Sequence, residues 1–321
     1  MSGHGDNGSG RAIIAAFLAN LGIALLKFIG FLITGAASML AEAIHSVADT
    51  GNQGLLLIGG WRGRRPPTAE HPFGYGQERY FWAFLVAVVL FTLGSLFALF
   101  EGFQKLREPH ELASPVVAIA ILLGAIALES WSLRTAVQEA SKIRGNRSWW
   151  RFIHSTKNPE LPVVLLEDFG ALIGLTCALV GIVLAAVTGN PRFDALGSIA
   201  IGLLLGAIAV VVGSEMRSLL VGEAASPRVQ ASIREALEGT DGVQRLIHLR
   251  TLHLGPDELL VAGKVELDQQ ATFPQVAETI NRAEARVRAA VATARLIYLE
   301  PDVYRPAAAP VAQDEGAGAE R

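Results

Sequence analysis

Six long apolar stretches dominate this chain, at 12–33, 37–60, 80–103, 113–133, 161–188 and 194–214. About 20 consecutive apolar residues wound as a helix match the hydrocarbon thickness of a bilayer. Inside lipid no water can bond a free peptide group, so such stretches must close their hydrogen bonds as helices. The expected fold is therefore an α-helical membrane protein with six transmembrane helices over residues 12–214. Composition agrees, because 18% charged residues against 51% hydrophobic ones falls short of the roughly 25% charged of a soluble domain.

Gly and Ala are frequent in these stretches, which lets helices approach closely where hydrophobicity no longer drives association. Within the third stretch, "YFWAFLVAVVLFTLGSLFALF" has no charge and reads as a plain lipid-facing or scaffold helix. Loop charges give the orientation. Arg62, Arg64, Arg65 and Arg79 fall between the second and third stretches; Lys142, Arg144, Arg147, Arg151 and Lys157 fall between the fourth and fifth. The loops near 34–37 and 189–193 are nearly free of such residues, and 104–112 is mixed. Positive loops stay cytoplasmic, so both termini are expected on that side of a cell inner (cytoplasmic) membrane.

The net charge of −3, without a Lys/Arg run, leaves no surface for nucleic acid. The single Cys177 excludes an intramolecular disulfide and a Cys-rich zinc knuckle. The opening "MSGHGDNGSG" lacks the basic start and cleavage site of a signal peptide, so residues 1–11, His4 among them, read as a disordered tail. Past the last apolar stretch the pattern changes. "PRVQASIREALEG" reads as an amphipathic helix, "GVQRLIHLRTLHL" and "ELLVAGKVEL" as strands around a Gly-Pro-Asp turn. "TFPQVAETINRAEARVRAAV" is a second helix and "ARLIYLEP" a last strand, giving an α+β layer over 222–303. Leu246, Leu249, Leu252 and Leu260 are its expected core, and 304–321 reads as a disordered tail.

The ionisable groups inside the apolar stretches carry the chemistry. A charged side chain at a helix centre costs about 3 kcal/mol on insertion scales, so each needs a reason to be there. In "AEAIHSVADTGNQ" at 41–53, Glu42, His45 and Asp49 share one helix face at about 100° per residue. The fifth stretch supplies Glu167 and Asp168 in "LPVVLLEDFGALIG". Imidazole and carboxylates on two helices suit a divalent cation such as Zn²⁺, which takes about four N/O ligands. Glu42, nearer the outer mouth, reads as a vestibule residue; Asn52 and Gln53 read as interhelical hydrogen bonders. Asn20 and Asp194 are lesser candidates, and Glu129, read as close to the cytoplasmic end of its helix, should snorkel. The lack of HExxH, of a P-loop and of GxGxxG after a strand leaves neither a zinc protease nor an ATPase, and no enzyme is expected.

Together, "AEAIHSVADTGNQ", "HPFGYGQERYFWAF", "LLEDFGALIG" and "FDALGSIAIG", in this order and on these helices, resemble the cation diffusion facilitator family. The HxxxD form with "LLED" is similar to the branch with the mitochondrial zinc transporters and their bacterial relatives. The resemblance implies a homodimer in the lipid bilayer that exports divalent cations, Zn²⁺ first and Mn²⁺, Co²⁺ or Fe²⁺ as alternatives, in exchange for protons by alternating access. It implies a ferredoxin-like cytoplasmic domain, no cofactor beyond the transported ion, and His45, Asp49 and Asp168 at the transport site. A non-transporting membrane sensor or scaffold is the alternative.

Two departures from the family pattern stand out. Where relatives often carry a ligand four residues before the aspartate, this chain has Val164. On a helix 164, 167 and 168 fall within an arc of about 100°, so Glu167 is expected to reach toward the missing position. In the soluble domain the ligand positions are largely lost to Ile247, Lys264 and Tyr298, leaving His248, His253 and Glu300. Glu70 and His71 in the loop after the second stretch read as part of a turn rather than an entry site.

Overall fold

The computed structural model describes residues 4–34, 37–108 and 115–305; the side chains of 4–9, 31, 33–34, 37–45, 48 and 115 lie outside that description. Long helices come first: α1 His4–Thr34, α2 Ala37–Arg62, α3 Glu78–Val89, a π-helical segment Leu90–Leu96, α4 Phe97–Arg107, α5 Pro115–Arg144, a short α6 Trp149–Ser155, α7 Glu160–Thr188 and α8 Arg192–Val221. They are followed by α9 Pro227–Glu238, β1 Val243–Gly255, β2 Glu258–Leu267, α10 Phe273–Ala290 and β3 Ala294–Asp302. The chain divides into two compact units, residues 1–223 with 253–258, and residues 224–252 with 259–321.

Among the described residues five helical rods are long and apolar enough to cross a membrane: Gly10–Gly30, Glu78–Arg107, Val116–Arg144, Glu160–Thr188 and Arg192–Val221. The sixth rod is α2, packed between α1 and α3 and carrying the polar face around Asp49. The multi-pass architecture shows in which residues point outward. On α1 the exposed Leu18, Leu25 and Leu32 stand seven residues apart, as do Leu196, Leu203 and Val210 on α8. The inner face of α1 is mostly alanine, Ala12, Ala15, Ala16, Ala19 and Ala24, joined by Ile13 and Ile23. Large apolar residues outside and small ones inside is the arrangement that lipid favours and water does not.

Close approach shows best between α4 and α8. A Cβ on Gly202 would lie 2.7 Å from Leu99 Cγ, and one on Gly102 would lie 2.7 Å from Ile199 Cγ1. The third apolar stretch is not the plain helix expected of it. Its π-helical turn widens the rod midway and aims Ser95 Oγ at the Gly202 carbonyl, 2.8 Å away. Where residues 1–11 read as a disordered tail, the helix α1 already begins at His4. Once a long helix is nucleated, extending it gains one backbone bond per residue ordered. Of the tail expected at 304–321, residues 306–321 lie outside the described residues.

At one end of the bundle Arg79 and Glu160, 5% and 2% exposed, form a two-pronged ion pair. Arg79 Nε donates to Oε1 at 2.5 Å and Nη2 to Oε2 at 2.9 Å, joining the first turns of α3 and α7. Arg79 Nη1 also reaches Asp257 Oδ2 at 3.3 Å. His71 in the preceding loop is exposed and stacks on Tyr75, with centroids 4.5 Å apart, which fits the turn reading.

The second unit carries a three-stranded sheet in the order β1–β2–β3, with β2 and β3 parallel. Helix–strand–strand–helix–strand is the ferredoxin-like α+β order expected at the carboxy terminus. Ser226 caps α9 by accepting from Val229 N, with Pro227 in the first turn, and Thr272 with Gln275 forms a capping box on α10. Ile233, Leu237, Leu259, Val261, Val265, Val287 and Ile297 form the core. Leu246 is buried as expected, but on β2 the buried positions are Leu259, Val261, Gly263, Val265 and Leu267, so Leu260 takes the other face. A strand alternates sides, and a one-residue register difference reverses every assignment along it.

Candidate metal site

The interior of the helical bundle is polar on four of its rods. Asn20 and Lys27 on α1, Ser46, Asn52 and Gln53 on α2, Glu129 and Ser132 on α5, and Glu167 and Asp168 on α7 are all buried. Asp49 on α2 is half-buried and engaged in interactions of its own. Asp168 lies eight residues past the start of α7, about 12 Å along its axis. Leu161, Val163, Val164 and Leu165, all buried, pack the α7 turns just before it into the apolar core.

Two contacts position the α7 carboxylates. Ser132 Oγ on α5 donates to Asp168 Oδ2 at 2.6 Å, while Asp168 Oδ1 has no hydrogen-bond partner. Glu167 turns to α2, where Gln53 Nε2 donates to its Oε2 at 2.8 Å and Asn52 Nδ2 to its Oε1 at 3.2 Å. Asn52 and Gln53 are thus the interhelical hydrogen bonders their sequence positions suggested. Both oxygens of Glu167 are held by amides, whereas only one oxygen of Asp168 is hydrogen-bonded. Glu167 lies in electrostatic range of Asp49 and Asp168.

His45 stands on α2 one turn before Asp49, but its side chain, like that of Glu42, lies outside the described residues. Among the described residues no three His, Cys, Asp or Glu groups gather closely enough to hold a metal ion. The bundle therefore brings Asp168, Glu167 and Asp49 into one polar interior without closing them into a finished coordination sphere.

Glu129 requires a correction. It does not snorkel: it is 1% exposed, and α5 runs on to Arg144, so that Glu129 stands midway along a 30-residue helix. The apolar stretch ends near 133, but the helix does not, and from mid-helix the nearer end is about 20 Å away, beyond a Glu side chain. Two further residues were missed in the sequence. Ser132 gives no signal of its own, since a serine on a membrane helix commonly bonds its own backbone. Lys27 does give one, being an ionisable residue inside the first apolar stretch, where a partner is always to be expected.

Residues 13–221 match the family model described as the cation efflux transmembrane domain. The chain belongs to the cation efflux family. This is the cation diffusion facilitator family, one of transporters and not of enzymes, and its similarities fall in a zinc-transporter branch. The mitochondrial proton-coupled zinc antiporter SLC30A9 of Homo sapiens is 31% identical over 264 residues, covering 81% of this chain and 46% of that protein. Metal tolerance protein C4 of Arabidopsis thaliana is 30% identical over 281 residues, covering 87% of this chain and 62% of the other. The chain spans about half the length of the curated SLC30A9 relatives it matches, 46% of the human protein. Among solved structures, a MamM carboxy-terminal domain is 26% identical and covers 25% of this chain and 94% of its own, with a TM-score of 0.23. The buried polar residues named above on α1, α2, α5 and α7 all fall within the family domain.

Proposed function

We propose that this cation efflux protein exports divalent cations, Zn²⁺ foremost, from the cytoplasm in exchange for protons. The observation that carries the reading is Asp168: a buried carboxylate in the transmembrane domain, fixed through one oxygen by Ser132 and open at the other. A carboxylate that deep is stable as an anion only beside a positive charge. His45, Asp49 and Asp168 hold the ion. Glu167 completes the set once its bonds to Asn52 and Gln53 release, or carries the exchanged proton. Carboxylates and imidazole must be deprotonated to bind metal, so metal and protons compete for the same atoms and exchange follows from the ligands themselves.

The names of the similar proteins, a proton-coupled zinc antiporter among them, support zinc and proton coupling. The reading extends to a homodimer working by alternating access in the bacterial inner membrane, termini cytoplasmic, the side on which Arg62, Arg64, Arg65, Lys142 and Arg144 collect. The test is zinc uptake into liposomes containing the purified full chain, with and without an imposed pH gradient. Uptake that collapses with the gradient is the expected result. Zinc binding without uptake would make the protein a sensor or scaffold instead.

A further inference from the structure

The cation site described so far draws on α2 and α7, yet α5 brings a carboxylate of its own into the same interior. Glu129 is 1% exposed and its Oε2 has no hydrogen-bond partner. Three residues on, about one helical turn, Ser132 is bonded to Asp168, which fixes this face of α5 against α7. The charged groups in electrostatic range of Glu129 include Asp168, Glu167, Asp49 and Lys27. Two facing helices thus each present a buried carboxylate with one oxygen left over.

Such oxygens are costly, because a buried acceptor left unmade forfeits its hydration, and more so when it is charged. Lys27 is the one cation among the neighbours that interact most with Glu129, set against three other carboxylates. A fold that only had to pack would place an amide or an apolar group at 129. The surplus of buried acceptors is matched by what a divalent cation brings.

We propose that Glu129 is a cation-binding residue contributed by the fourth span, supplying a carboxylate oxygen to the ion held by Asp168. The assignment rests on the transport reading above. Among the described residues the acidic groups do not already meet at one point, so the ion itself draws the α5 and α7 carboxylates together. An added carboxylate makes the site harder, favouring ions that take oxygen ligands alongside Zn²⁺.

The test is calorimetric titration of Zn²⁺ into the purified full chain in detergent, for the wild type, Glu129→Gln, Glu129→Asp and Asp168→Asn. Glu129→Gln should weaken binding by at least about 10–100-fold, since loss of a residue that only orients a metal ligand already costs that much. Its melting temperature without metal should stay at or above that of the wild type, since a buried charge has been removed. Glu129→Asp, which keeps the charge, should lie between the two in affinity and serves as the second reading if the glutamine variant does not fold. Wild-type affinity in Glu129→Gln, beside a clear loss in Asp168→Asn, overturns the proposal and leaves the transport reading standing. A wild-type protein that binds no zinc overturns both.

Discussion

Ser132 and Asp168 meet across two membrane helices at 2.6 Å, and this contact engages one oxygen of the aspartate and leaves the other without a hydrogen-bond partner. Ser132→Ala should therefore leave the helices packed but free the Asp168 rotamer. Zinc affinity is expected to fall by about 10-fold, at the low end for loss of a residue that orients a metal ligand. Ser132→Thr, which keeps the hydroxyl, should recover most of it. Titration of the three proteins with zinc would decide the point, and equal affinities would separate Ser132 from the site.

The buried pair of Arg79 and Glu160 ties the first turns of α3 and α7 together. Arg79→Met strands the Glu160 carboxylate and should destabilise the bundle by about 3–5 kcal/mol. Adding Glu160→Leu should return much of that loss, because a well-packed apolar pair replaces an ionic one at little cost. Thermal unfolding of the two variants in detergent measures this. A double variant no better than the single would show that the stranded Glu160 carboxylate is not the source of the loss.

Gly202 faces Leu99 so closely that an added Cβ would lie 2.7 Å from its Cγ and 2.9 Å from its backbone N. Backbone cannot step aside as a side chain can. Gly202→Val should cost about 1–3 kcal/mol, the usual penalty of overpacking. A Gly202→Val protein that melts with the wild type would mean that α4 and α8 separate more readily than the close fit implies.

Burial, and next the Lys157 ammonium, hold the His253 imidazole below its ordinary value of 6.5. The unfolded chain then binds a proton that the folded protein refuses, so stability rises with pH across that window. His253 contributes fully above pH 6.5, and its contribution declines as the pH drops from there toward the lowered folded value. His253→Gln should flatten the stability profile between pH 7 and 5. An unchanged profile would place the pH sensitivity elsewhere.

The carboxy-terminal unit should fold without metal. Its apolar core is its own, while His248 and Glu300 are exposed and Glu300 is paired with Lys264 at 3.0 Å. The melting temperature of a fragment starting at Pro227 should be the same with chelator as with zinc. A large rise on adding zinc would reveal ligands beyond these.

Sequence by itself determined the membrane class, the number of apolar rods and the order of the carboxy-terminal elements. Those features depend on hydrophobic length and on local patterns, caps and turns, which neighbouring residues settle among themselves. It also singled out Asp168, Glu167, Asn52 and Gln53, since polar residues in an apolar run announce themselves. Tertiary structure alone decided how they combine: that Glu167 is bound by two amides of α2, that Asp168 is held by a serine 36 positions earlier, and that Leu259 rather than Leu260 faces the core. Glu129 marks the boundary most clearly. Its sequence placed it near the end of an apolar stretch, but the helix continues past the stretch to Arg144. Helix length follows backbone hydrogen bonding and packing rather than hydrophobicity, so only the folded bundle could put that carboxylate inside.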